Sequence, residues 1–162
     1  MSGRVRRTNI LDGLVAALKQ INGQTPSYWS NVGGRVYRRL REPEEVVDGE
    51  FPILFVVQRG QPGPVRNDEH TIKDEIRATI VGYVRETAPR GALIARAPAA
   101  ADDLLDDVKE ALLQNIRLSG SLDGEMLILE SYALSGLDPN YGVIVCDVSL
   151  PYRYGKADLG PG

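Results

Sequence analysis

The stretch GVIVCDVSLPYRYG, residues 142–155, constrains how the rest of the chain can be arranged. Ile144, Cys146, Val148, Leu150 and Tyr152 fall on one side at a period of two, with Asp147, Ser149 and Arg153 on the other. That alternation is the pattern of a strand with one buried face. The strand passes through Pro151, ends in Tyr152-Arg153-Tyr154 and runs into the tail KADLGPG. A catalytic strand delivers a nucleophile or a ligand at such an end. This one delivers aromatic and cationic side chains, the types enriched where proteins meet.

Reading outward, EMLILESYAL (125–134) and the turn SGLDPNYG precede it, a strong hairpin pattern. A second long alternation is KDEIRATIVGYVRET (73–87). Ile76, Ala78, Ile80, Gly82 and Val84 share its core face; Arg77, Thr79, Val81, Tyr83 and Arg85 share an amphipathic one. Gly82 suits a bulge or the close approach of another backbone. FPILFVVQRG (51–60) is an apolar run of strand length, with Pro52 at its start and Gly60 closing it. RVYRRL (35–40) puts cations on both faces and reads as a short edge strand. Residues 61–71 read as an exposed loop or mobile arm.

Two helices stand out. TNILDGLVAALKQIN carries a stripe from Ile10 through Leu14 and Leu18 to Ile21, with Thr8 or Asn9 as N-cap and Gly23 ending it. ADDLLDDVKEALLQNIRLSG carries Leu104, Leu105, Val108, Leu112 and Ile116, with acids in its first turns, Arg117 in its last and Gly120 stopping it. APRGALIARAPAA before it reads as a connector. In QTPSYWSNVGG (24–34), Tyr28 and Trp29 sit in a loop, either packed on the core or facing a partner. The order is α-β-β-β-α-β-β, the α+β class: a twisted, mainly antiparallel sheet with two principal helices packed on one face. Residues 1–154 form a single domain with an exposed loop at 60–72, followed by a C-terminal tail, 155–162. The sheet face bearing Arg77, Arg85, Asp147 and Arg153 is expected to be wet or covered by another subunit.

The 162 residues fit one core, and one cysteine excludes an internal disulfide. No apolar run approaches the roughly 20 residues of a membrane span, and MSGRVRRTN lacks the apolar part of a signal peptide. A soluble, intracellular protein with no membrane partner is expected. Charge is polarised: residues 1–41 hold eight Lys/Arg against Asp12, net +7, while residues 42–162 hold 11 basic and 21 acidic side chains, net −10. Such a chain is either a nucleic-acid binder with a basic arm or a subunit whose basic edge meets a neighbour's acidic edge. The acidic run EPEEVVDGE (42–50) favours the second.

Enzyme chemistry lacks its parts. His70 is the single histidine and lies in a polar loop; Cys146 alternates with core residues and reads as an inert thiol. RGQPGP and NVGGR match no phosphate or dinucleotide loop, and the carboxylates at 102, 103, 106 and 107 read as a solvated first helical turn. No catalytic residue, cofactor or metal is expected.

The layout resembles the tail terminator (tail completion) proteins of long-tailed bacteriophages and the related neck and minor tail proteins. The resemblance runs over residues 8–154 and is carried by ILDGLVAALKQI, FPILFVVQRG, IRATIVGYVRE, AADDLLDDVKEALL and the closing VSLPYRYG. It implies a non-enzymatic virion subunit assembled in the host cytoplasm. Such a subunit forms a ring, typically a hexamer, that caps the tail tube and docks the head–tail connector. A contractile sheath is a further possible neighbour, and DNA passes through the lumen without specific binding. A tube on one face and a neck protein on the other would use loop 60–72, with Arg66 and His70, and the end Tyr152, Arg153 and Tyr154. Arg35, Arg38 and Arg39 would serve subunit contacts. The plainer alternatives are tyrosines that cover the sheet's end and arginines that are solvated edge charges. Three other readings stand beside the terminator: another head–tail joining subunit, a nucleic-acid-binding module using Arg4, Arg6, Arg7 and the cluster 35–41, and a small enzyme with an unrecognised site.

Overall fold

The computed structural model describes residues 7–24, 28–60, 65–66, 71–85, 97–118, 122, 125–138 and 141–155. The elements are α1 (Arg7–Lys19), β1 (Val36–Tyr37), 3-10 turns at Pro43–Glu45 and Asp48–Glu50, β2 (Ile53–Gln58), β3 (Val65–Arg66), β4 (Thr71–Arg85), α2 (Ala97–Gln114), β5 (Ile128–Asp138) and β6 (Tyr141–Gly155). β4 and β6 pair antiparallel in unbroken register from Thr71↔Gly155 to Arg85↔Tyr141. β2 flanks β4 and β5 flanks β6, both antiparallel, which gives the order β1-β2-β4-β6-β5. The architecture is α+β, an open, mainly antiparallel sheet with both helices on one face.

Alternation decides what each face buries. Ile76, Ala78 and Ile80 of β4 and Ile144, Cys146 and Val148 of β6 pack against Ile10, Leu14 and Leu18 of α1 and Leu104, Val108 and Leu112 of α2. Each large aliphatic side chain so withdrawn from water contributes about 1.5–3 kcal/mol. The opposite face is not simply wet, as the charges on it suggested. Its β1-proximal half carries a second apolar cluster of Ile53, Phe55, Tyr83 and Val143, with Val46 and partly buried Phe51 from the segment around the 3-10 turns. The Tyr83 hydroxyl donates to the Arg41 carbonyl at 2.9 Å, so the chain's own segment covers that half.

Several boundaries differ from expectation. α1 begins at Arg7, so Thr8 and Asn9 lie inside its first turn. α2 begins at Ala97, and the supposed connector APAA supplies its first turn; Pro98 is tolerated there because first-turn N–H groups have no intrahelical partner. The acidic residues therefore occupy the next turns, and Arg117 lies beyond the helix end. β1 pairs with β2 in parallel, and the expected loop 60–72 contains β3, which pairs with Lys73 and Ile72 of β4. Pro151 sits in β6 where β5 no longer runs alongside, since β5 starts with Ile128 opposite Ser149. A missing backbone donor costs little on a side with no neighbouring strand.

Gly82 lies in regular register with no bulge. What approaches it is not backbone: a Cβ there would stand 2.7 Å from Ile144 Cγ1 and 2.8 Å from Leu54 Cδ2, both fully buried. Gly82→Val is expected to destabilise the chain by about 1–3 kcal/mol through overpacking, read as a lowered urea midpoint. An unchanged midpoint would show that the two neighbours repack freely.

Candidate protein–protein interface

β1 is one end of the sheet. Arg35 there is structural: its Nε donates to the Pro52 carbonyl at 3.2 Å and its NH2 to the Asn31 carbonyl at 2.8 Å. Arg41 lies over the Tyr37 and Phe55 rings and pairs with Glu50 at 2.8 Å. Between them Arg38 and Arg39 are exposed and make no hydrogen bond or ion pair among the described residues, with Tyr37 and Leu40 partly exposed beside them. A groove of about 690 Å³ opens here, lined by Tyr37, Arg39, Leu40, Arg41 and the carboxylates of Glu42, Glu45 and Glu50.

β5 is the other end, and the sequence did not flag it as a surface. Ile128, Tyr132 and Leu134 are each about half exposed, and Leu113 of α2 is 65% exposed. Lys109 Nζ lies 3.7 Å from the centre of the Tyr132 ring, joining α2 to this edge. The signal was present in LILESYAL, whose apolar residues occupy both strand parities although only one face of an edge strand can be covered.

The end of β6 behaves differently from the expectation placed on it. Tyr152 is 3% exposed, and its hydroxyl donates to Asp74 Oδ2 at 2.9 Å. It is a core residue on the helix face, because it continues the Ile144–Leu150 alternation; its ring cannot reach a partner. Arg153 is exposed but paired with Glu125 at 2.5 Å. The backbones of Arg66 and Tyr154 pair with Ile72 from either side, while their side chains lie outside the described residues. His70 also lies outside them. The candidate set thus divides in two: Arg35, Arg38 and Arg39 share the β1 corner, and Arg66, Arg153 and Tyr154 come together by backbone register at the far end of β6.

The loop aromatics divide. Tyr28 is buried, whereas Trp29 is 73% exposed. Asp107, expected as a solvated carboxylate, is 1% exposed and accepts the backbone N–H groups of Trp29 at 3.0 Å and Ser30 at 2.5 Å. Burial pushes its carboxyl pKa up, and the two N–H bonds oppose that shift. On the open sheet face Asp147 accepts from Thr79 Oγ1 at 2.8 Å and Ser131 Oγ at 3.0 Å, with Arg59 at 3.6 Å. The Thr79 bond, aided by Ser131 and Arg59, holds its carboxyl below the ordinary Asp value. Burial pushes the Cys146 thiol up to about 11, which suppresses thiolate chemistry. Among the described residues no group of three or more His, Cys, Asp or Glu side chains is placed to hold a metal ion. No helix among them is long and apolar enough to cross a membrane.

Protein-family models give no match to the chain, and a search of curated proteins gives none either.

Asp107→Ala leaves two loop N–H groups without their acceptor and is expected to cost about 1–3 kcal/mol. Asp107→Asn, which keeps an acceptor oxygen, should cost less; equal losses would contradict this role. Asp147 has a lowered pKa, so its contribution is present above the unfolded-state value of about 3.9 and is lost as pH falls through the lower folded value. Asp147→Asn should therefore flatten the acid limb of stability against pH, and an unchanged limb would show that other carboxylates carry it.

Proposed function

We propose that this protein is a structural subunit of a bacteriophage tail, a terminator whose copies close into a ring on the end of the tail tube and present the surface to which the head connector docks. The observation that supports it best is the pair of open sheet ends. Each carries partly exposed apolar side chains, Tyr37 and Leu40 at β1, and Ile128, Tyr132 and Leu134 at β5. A long unpaired strand edge with apolar side chains is a liability for an isolated chain and an asset for one that assembles. Two different surfaces on one subunit, a long apolar strand edge at β5 and a short corner of exposed side chains at β1, suit a head-to-tail contact, the kind that generates rings.

The electrostatics are compatible. Arg38 and Arg39, exposed and without a hydrogen-bond or ion-pair partner among the described residues, lie at the β1 end, and α2 presents Asp102, Asp103 and Asp106 to solvent. On the open face Thr79 and Ser131 both donate to Asp147, bonds that tie neighbouring strands together and suit stability. A neck subunit joining head to tail would use the same features, and its position in the particle distinguishes it.

Light scattering of the purified chain across a concentration series, with and without tail tubes, tests the reading. The expected result is a species near six copies, or a monomer that gathers on tube ends and is seen there as a cap by electron microscopy. A concentration-independent monomer that ignores tubes would overturn it. Salt-sensitive retention on DNA by that monomer would favour the nucleic-acid reading instead, since phosphate contacts weaken steeply with salt.

A further inference from the structure

We infer that the β5 edge and the flank of α2 beside it dock against the β1 corner of a second copy of this chain. This rests on the assembly reading above and names the surfaces that reading leaves open. β5 is eleven residues long, with β6 on one side and no strand on the other among the described residues. Tyr132 and Leu134 lie opposite Cys146 and Ile144, so they point to the helix side of the sheet, where the helices do not cover them.

The flank of α2 extends this strip. Asp102, Asp106, Lys109 and Leu113 recur at i, i+4, i+7 and i+11, which places them on one face of the helix. Lys109 touches the Tyr132 ring, so that face borders β5. Asp102 and Asp106 are exposed and have no hydrogen-bond or ion-pair partner among the described residues. The strip thus offers apolar side chains with two free carboxylates behind them.

The β1 corner is its complement. Arg38 and Arg39 are the cations there without a partner among the described residues, flanked by Tyr37 and Leu40, and Arg39 borders the groove that Glu42, Glu45 and Glu50 line with Arg41. Opposite charges and apolar surface meet in one contact, and each copy keeps one unused end for the next. Pairing β5 with β5 across a two-fold axis would instead set two acidic flanks together, which complementarity disfavours. It would also leave both β1 corners open.

Charge reversal and its rescue test the contact. R38E/R39E and D102K/D106K should each raise the concentration needed for half-assembly about tenfold, as read by light scattering. The chain carrying all four changes should return to the wild-type value, because both surfaces are then reversed. The four residues are exposed, so circular dichroism should show each variant folded. A bis-maleimide cross-linker gives a second readout, since the native Cys146 is buried. L40C/L134C chains should yield a ladder of multimers, whereas L134C alone should yield none.

Assembly unaffected by either reversal, or a quadruple variant no better than its halves, would overturn this contact and leave the ring reading standing. Cross-linked dimers from L134C alone would also overturn it, in favour of an edge-to-edge pair. A wild-type chain that never associates, alone or on tubes, would take down both.

Discussion

The fifteen-pair ladder between β4 and β6 is the constraint on which the rest of the molecule depends. Side chains alternate along a strand, so a slip of one residue would turn Ile76, Ala78 and Ile80 away from the helices and bring Arg77 and Thr79 in. Two polar pairs guard against that slip. Asp74 and Tyr152 are directly opposite in register and hydrogen-bonded on the helix face; Thr79 and Asp147 are opposite and hydrogen-bonded on the other. Each pair forms only in the native register. Cross-strand contacts of this kind are worth a few tenths to about 1 kcal/mol apiece, small beside the apolar burial but specific to one alignment.

With the ladder in place the two ends of the sheet follow, and they are managed differently. The β1 end is blunted: the strand has two residues, cations follow it, and Arg35 and Arg41 brace it through Pro52, Asn31 and Glu50. Short, charged edges resist unwanted pairing. β5 is neither short nor strongly charged, and its register shifts between Leu129 and Ser131 and again between Ser135 and Asp138. Such irregularities bend an edge but do not remove its apolar side chains. The asymmetry between a braced basic corner and an open apolar edge makes a head-to-tail assembly physically reasonable.

Two carboxylates with shifted pKa values have structural work: Asp107 holds the loop that displays Trp29, and Asp147 ties three strands of the open face to one another. Cys146 is sealed beneath the helices. An exposed tryptophan on a loop tied to Asp107 and an uncovered strand edge are features that a partner protein would use.

Local patterns were legible before any coordinates. The alternation in 144–152 and 76–84 identified two strands and their buried faces, and the stripes of 10–21 and 104–116 identified two helices, because period depends only on neighbouring residues. Their α+β assembly followed from those lengths and their order. Other features were not legible, since they depend on what lies beside a residue in space. Tyr152 carries interface chemistry in its side chain, yet it is buried in the core on the helix side of the sheet. Asp107 reads as one of four similar carboxylates, and only the arrival of the loop at Trp29 and Ser30 separates it from the others. β5 shows a strand pattern that cannot say whether a helix covers it. The parallel pairing of β1 likewise arises from how the chain returns after residue 41. A sequence specifies which face of an element is apolar; packing decides which of those faces are satisfied within the chain and which remain open for another molecule.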